Sequence, residues 1–388
     1  MIRRFDEAEE QTVLNVLRSG RLSRFYKNFL GGEYVQSFEE AFAKYHGVKH
    51  AISTSSGTAA LHTALEAAGA YGNLVTTTPL SFVASASSIH MAHAMTEFAD
   101  VDSLTYNLDP FQVPTDSGFV LAVHLLGTPC DIDKIKERAP QAVIIEDCAQ
   151  ALGARYKDKR VGTIGDLGCF SFQESKTIST GEGGMVITNN EELAEKCRRI
   201  RNHGEKYAEG EELGYNYRLT ELQAAIGIEQ LKKLDYFNSL QERNARHIIR
   251  HLPPQFDPPI FPPYAQPSYF IIGTLFHGTA LVSAAFYDEH FLAEARNKFL
   301  DWCTETGLNK KEPGRTIGPG YDRLIYQHTY FRRFATEKGR ETKVSCPVAE
   351  DLIRRFVWFD IHRWRVLEDV QEDWAKVLEY FEKKGSVK

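Results

Sequence analysis

No two of the six cysteines in this 388-residue chain stand in a Cys-x-x-Cys pair, which removes the usual zinc and thioredoxin spacings. No metal site is expected. Thiols scattered without a framework point to a reducing compartment, and the expected location is cytoplasmic. No run approaches about 18 uninterrupted apolar residues, which argues against a membrane-spanning helix. The opening Met1-Ile2-Arg3-Arg4-Phe5-Asp6-Glu7 is basic but lacks an apolar stretch after it, so no secretory signal is expected. An excess of positive charge is missing too. Lys and Arg number 46 against 52 Asp and Glu, a formal charge of −6, which argues against a nucleic-acid partner. Internal repeats and low-complexity stretches are also lacking.

What is present is an ordinary globular composition, 43% hydrophobic and 25% charged, in a chain long enough for two or three domains at about 150 residues each. Short β-rich runs alternate with helical patterns through the first 240 residues. Strands are expected over 50–55, 73–79, 94–101, 118–127, 142–148, 166–173 and 183–190. Continuous apolar runs such as Val120-Leu121-Ala122-Val123 and Val143-Ile144-Ile145 suit strands buried on both faces. Leu61, Leu65 and Ala68 share one helical face. Seven strands interleaved with helices predict an α/β domain with a mostly parallel sheet.

A long helix is expected over 220–252. Its start, Thr220-Glu221-Leu222-Gln223, has the form of a capping box. Paired prolines at 253–254, 258–259 and 262–263 then mark a boundary. We read residues 1–240 as a large α/β domain and 241–388 as a smaller α+β domain that ends in a helix near 368–384.

Three constellations carry chemistry. Thr54-Ser55-Ser56-Gly57-Thr58 lies where a strand meets a helix. A helix N-terminus offers free N–H groups and partial positive charge to an anion such as phosphate, although a Ser-Gly-Thr turn also fits a plain helix cap. In Val143-Ile144-Ile145-Glu146-Asp147 an apolar strand ends in an acidic pair. Ligands of open α/β sheets sit beyond the carboxyl ends of strands, so Asp147 is placed to meet a cation, or else to cap the next turn. After the strand near 166–173 come Lys176 and a loop with Gly181, Gly183 and Gly184. A lysine desolvated at a sheet mouth becomes a nucleophile toward carbonyls, whereas most loop lysines are simply solvated. Together, a phosphate cradle, a carboxylate and a lysine at strand ends are what pyridoxal 5′-phosphate (PLP) requires.

The sequence resembles the DegT/DnrJ/StrS family of PLP-dependent sugar aminotransferases, of the aspartate aminotransferase fold type I. The resemblance runs in order through most of residues 15–235. It includes Ser56-Gly57-Thr58-Ala59-Ala60-Leu61, Pro79-Leu80-Ser81-Phe82-Val83-Ala84, His124-Leu125-Leu126-Gly127, Glu146-Asp147-Cys148-Ala149-Gln150, Ser171-Phe172 through Lys176 to Gly184, and Gly214-Tyr215-Asn216-Tyr217-Arg218-Leu219. It implies that Lys176 bonds the cofactor and then moves the proton between Cα and C4′, and that Asp147 pairs with the pyridine nitrogen. Gln150 would contact the ring hydroxyl, Phe82 would stack on the ring, and Gly57, Thr58 and Ser171 would hold the phosphate. Asn216 would reach the phosphate on the neighbouring subunit, which makes a homodimer with interfacial active sites the expected unit. From the residues alone, Phe82 also fits a core aromatic, Asn216 a left-handed turn and Gln150 a helix-start polar residue.

The implied reaction is a ping-pong transfer from a small-molecule amino donor, glutamate or glutamine, to a keto-sugar, nucleotide-linked or an aminocyclitol precursor. A sugar dehydratase using the pyridoxamine form of the cofactor, and a non-catalytic regulatory member of the family, are the alternatives. Lys176 weighs against the first, and Lys176 with Asp147 against the second. Ala70-Tyr71-Gly72-Asn73 replaces the Gly-Pro-Gly-Asp run of many members, and the C-terminal residues match weakly. Cys346-Pro347-Val348-Ala349-Glu350 resembles the aminocyclitol and aminohydroxybenzoate branch. Tyr326 to Arg332 lies where members place substrate-facing residues. His362 and Trp364 are expected to be surface or packing residues of a terminal helix.

Overall fold

The computed structural model describes residues 2–25, 29–206, 209–210, 213–277, 289–310, 316–337, 345–360 and 362–385. Seven strands form the main sheet: β1 (His50–Thr54), β2 (Leu74–Thr77), β3 (Met95–Phe98), β4 (Phe119–Val123), β5 (Val143–Asp147), β6 (Leu167–Ser171) and β7 (Gly184–Thr188). Their order is β1-β7-β6-β5-β4-β2-β3. The β3, β2, β4, β5 and β6 pairings are parallel, and β7 runs antiparallel to both β6 and β1. The expected mostly parallel seven-stranded sheet is therefore present. Its strands are shorter than the apolar runs suggested. The run after β4 ends in a tight turn at Leu125–Gly127, with Leu126 at φ 58° and Gly127 at φ 93°.

The helices of this part are α1 (Glu7–Ser19), α2 (Glu33–His46), α3 (Gly57–Ala68), α4 (Ala84–Met91), α5 (Ile132–Arg138), α6 (Glu191–Ile200) and α7 (Glu221–Arg250). They cover both faces of the sheet, which is why its strands read as continuous apolar runs. Leu121, Ile145, Leu167 and Val186 pack with α3, α4 and α6. On the other face Phe170, Met185 and Ile187 pack with α2 and α7, while Val120, Ala122 and Ile144 pack with α5. The alternation follows the two-residue period of a strand.

The capping box at α7 is present. The Thr220 side chain accepts from Gln223 N, and Gln223 reaches back to Thr220 N. Gln223 Nε2 also donates to Glu182 O at 2.6 Å, tying the helix start to the glycine-bearing loop.

Beyond α7, Ala265–Gln266 pairs back onto Arg155–Tyr156. A second, four-stranded antiparallel sheet contains β8 (Phe256–Asp257), β9 (Ile272–Phe276), β10 (Thr316–Gly318) and β11 (Phe356–Asp360), in the order β8-β9-β11-β10. Helices α8 (Glu289–Glu305), α9 (Thr329–Glu337), α10 (Pro347–Arg355) and α11 (Leu367–Gly385) accompany it. Its core holds Phe256, Phe276, Phe299, Phe359 and Trp374.

His362 and Trp364 do not belong to the terminal helix. They lie in the turn between β11 and α11 and are buried there. Backbone direction explains the change: the chain must leave the sheet before α11 begins, and Trp364 turns it at φ 50°. No helix among the described residues is long and apolar enough to cross a membrane.

Candidate active site

Val123, Asp147 and Ser171 are the last residues of β4, β5 and β6, and all three face one cavity of about 590 Å³. Parallel strands put their carboxyl ends on one edge of the sheet, so contiguous sequence motifs converge there. The start of α3 closes one side. Ser56 caps the helix by accepting from Ala59 N at 3.1 Å, and the N–H groups of Gly57 and Thr58 belong to the first turn, which has no intrahelical acceptors. Gly57 sits so close to β6 that a Cβ there would fall 2.7 Å from the Ser171 Cβ. Backbone donors, the Thr58 and Ser171 hydroxyls and the positive end of a helix thus share one small cradle.

Asp147 is buried. Its Oδ2 accepts from Ser85 Oγ at 2.9 Å and its Oδ1 from Ala149 N at 3.1 Å. Burial outweighs these donors and pushes the carboxyl above its ordinary range; Lys176 and His124 act in the opposite direction. The strand end is anchored from the other face. Glu146 accepts from the N–H groups of Gly162, Ile164 and Gly165 at 2.6–2.8 Å and from His124 Nε2 at 2.9 Å. His124 Nδ1 accepts from Cys130 N, which places the ring proton on Nε2. His124, Glu146 and Cys148 have the residue types of a metal cluster, but the imidazole nitrogens are both engaged and the Glu146 carboxylate is saturated with donors.

Lys176 lines the same cavity, its ammonium 5.0 Å from the centre of the Phe270 ring. Burial lowers it to about 8; Asp147 pulls it up and Arg363 pushes it down. An amine near 8 is partly neutral at physiological pH and able to attack a carbonyl. Gln150 reaches the cavity with its Oε1 fixed by Leu126 N and its Nε2 by Tyr321 Oη, both at 2.9 Å. Phe82 stands at the rim and is 60% exposed, which rules out the core-aromatic reading and leaves a ring face free.

Seven of the eight residues singled out from sequence therefore meet in one cavity: Gly57, Thr58, Phe82, Asp147, Gln150, Ser171 and Lys176. Asn216 does not. It is exposed, in a bridge to Asn202. Sequence reasoning missed the opposite wall, where Phe270, Tyr321, Trp358, Asp360 and Arg363 face the same space. Of the aromatic stretch flagged near 326–332, Tyr326 bonds Glu350 at 2.7 Å and is not part of the cavity lining.

The model of the DegT/DnrJ/EryC1/StrS aminotransferase family matches residues 3–278. The chain is 35% identical to the L-glutamine:2-deoxy-scyllo-inosose aminotransferase of Streptoalloteichus tenebrarius, over 89% of this chain and 85% of that protein. It is 41% identical to the GDP-perosamine synthase of Caulobacter vibrioides over 55% of this chain, a match that spans 60% of that protein's length. Among solved structures, an aminotransferase from Psychrobacter cryohalolentis superposes with a TM-score of 0.85 at 27% identity, covering 99% of this chain and 98% of the other. The fold is that of the type I PLP-dependent aminotransferases, as expected.

Proposed function

The chain belongs to the DegT/DnrJ/EryC1/StrS aminotransferase family, and on that premise we propose that it holds PLP in the cavity beyond β4–β6 and moves an amino group from glutamine or glutamate to a cyclic ketone by a ping-pong route. The observation that carries this is the meeting of Lys176, Asp147 and the Gly57–Ser171 cradle in one cavity. The residues fit the cofactor: a Cβ at Gly57 would fill the cradle a phosphate needs, and the buried Asp147 carboxylate is hydrogen-bonded, among the described residues, only by the neutral donors Ser85 Oγ and Ala149 N, a setting that a protonated ring nitrogen would complete.

When bound, PLP supplies an electron sink for the substrate carbon. The chain supplies the rest. Lys176 would hold the cofactor covalently, and its amine is the group placed to take the proton from the donor's Cα. General acid–base transfer of this kind contributes about 10²–10⁴-fold. Asp147 would hold the ring nitrogen protonated. Gly57, Thr58 and Ser171 would bind the phosphate, Gln150 would meet the ring hydroxyl, and Phe82 would cover the ring face. Asn216, exposed on one protomer, would serve the phosphate bound by its partner, which makes a homodimer the working unit in this reading; the proposed location is the cytoplasm.

Residues 1–240 act as the cofactor domain, and residues 241–388 as a smaller domain that adds the second wall. For the substrates, the relative aligned over most of its length is named for L-glutamine and 2-deoxy-scyllo-inosose, a carbocyclic ketone. The nucleotide-sugar relative named above aligns over 55% of the chain. That favours glutamine and an aminocyclitol-precursor ketone within the broader keto-sugar class.

The test is spectroscopic and then chemical. Purified protein given PLP should gain a violet-edge absorbance that glutamine or glutamate bleaches. Incubation with a panel of cyclic ketones should then yield an amine detectable by mass spectrometry. A protein that takes up no cofactor would sink the proposal.

A further inference from the structure

The segment that carries Lys176 is irregular. Between the end of β6 at Ser171 and the start of β7 at Gly184 the chain runs as turns and bends. Segments without regular structure open easily unless their backbone groups are bonded. Here four consecutive carbonyls are taken by side chains from the two ends of the chain. Arg4 donates to Glu174 O and to Lys176 O. Arg363 donates to Ser175 O, and Trp364 Nε1 donates to Thr177 O at 3.2 Å.

These donors form a stack. The Arg4 guanidinium lies 4.1 Å from the centre of the Trp364 ring, and that of Arg363 lies 4.8 Å from it. Arg363 also lies 4.3 Å from the centre of Phe270, the ring that faces the Lys176 ammonium. Asp360, at the end of β11, engages Arg363 through both carboxylate oxygens. The N-terminal arm of the clamp is tied in twice: Ile2 N donates to Trp364 O at 3.0 Å, and Gln230 Nε2 of α7 donates to Arg4 O at 2.9 Å. Trp364 holds a left-handed φ of 50°, a conformation that a bulky residue keeps only where its surroundings impose it. Two arginines this close repel, and burial followed by the Arg363 charge lowers Arg4 to about 9. A costly arrangement of this sort suits a fixed position for the carbonyls they hold.

We propose that Arg4 and Arg363, stacked on Trp364, clamp the carbonyls of residues 174–177 and so position Lys176 in the cavity beside Asp147. Both arginines are positioning residues for the lysine. The inference rests on the reading of Lys176 as the reacting amine. Several charged or titratable groups share the cavity with that amine: Asp147 at the end of β5, Asp360 at the end of β11, Arg363 just after it, Glu182 on its own loop, and the Tyr321 hydroxyl across the cavity, while Arg4 meets the loop at its carbonyls. Of these, Arg363 opposes protonation of Lys176 while Asp147 favours it.

Two measurements test the clamp. Hydrogen exchange on the full chain without cofactor reads the loop directly: Arg4→Gln and Arg363→Gln should speed exchange in residues 172–182 by about tenfold or more while the β4–β6 amides stay as in the parent. The pH dependence of Lys176 labelling by an amine-reactive reagent, read by peptide mapping, should move to higher pH in Arg363→Gln and stay near 8 in Arg363→Lys, which keeps the charge. In the holoenzyme, kcat should fall about tenfold in Arg4→Gln and Arg363→Gln with KM for the donor within about twofold. Unchanged loop exchange, exchange raised equally everywhere, or one labelling curve for both Arg363 variants would overturn the clamp. If Arg363→Gln does not fold, Arg4→Gln and Arg363→Lys decide by loop exchange and the kcat-to-KM split. Turnover retained by Lys176→Ala would instead overturn the functional reading, and the exchange result would stand apart from it.

Discussion

The two walls of the cavity are built in opposite ways. One wall is made of strand ends and the first turn of α3: Gly57, Asp147, Ser171 and the loop to Lys176. Each comes from a compact motif, and the parallel sheet aligns the motifs because strands that run the same way end on the same edge. The other wall, Phe270, Tyr321, Trp358 and Arg363, is gathered from segments spread over nearly a hundred residues, with no motif joining them. In the proposed reading the first wall carries the chemistry, which depends on residue type, and the second shapes the space and supports the first. Removing a group should therefore cost most at Lys176 and Asp147 and least where a side chain across the cavity only supports one neighbour, as Tyr321 does for Gln150.

Substitutions can break or sharpen that contrast. Lys176→Ala should abolish turnover and the absorbance of the lysine-bound cofactor, read in a stopped assay and a spectrum. Asp147→Asn keeps the shape but removes the charge that holds the ring nitrogen protonated; kcat should drop by about a hundredfold or more, measured at saturating donor. Gly57→Ala puts a Cβ 2.7 Å from the Ser171 Cβ, so cofactor affinity should weaken by about tenfold or more, measured by titration of the cofactor-free protein. Tyr321→Phe removes one partner of Gln150 at 2.9 Å and should change kcat/KM by only about two- to fivefold. A Tyr321→Phe loss that rivals Gly57→Ala would erase the distinction between the walls.

Particular residues show how far the sequence could be read. The apolar runs in β4 and β5 announced buried strands, and Thr220-Glu221-Leu222-Gln223 announced the start of α7, because both signals depend on neighbours a few residues apart. Asp147 and Lys176 were legible for the same reason: Asp147 ends β5, and Lys176 lies on the short loop that leaves β6 at Ser171. Phe82 was ambiguous between core and rim, since an aromatic in a short motif carries no mark of exposure. Trp364 and His362 were misplaced onto the terminal helix. Their environment depends on Thr177 and Tyr269, residues about 90 to 190 positions away, and no local periodicity encodes that distance.

Residue order alone determined the sheet-bearing architecture, the strand-end chemistry and the family resemblance, because hydrophobic period, caps and short motifs act over a few residues. Only the folded chain decided which distant side chains complete the site. Arg4 and Arg363 are separated by most of the chain, yet they stack on one tryptophan and bond adjacent carbonyls. Such contacts arise when the second sheet and the N-terminus close over the loop, and the closing is a property of packed surfaces, which a linear pattern does not display.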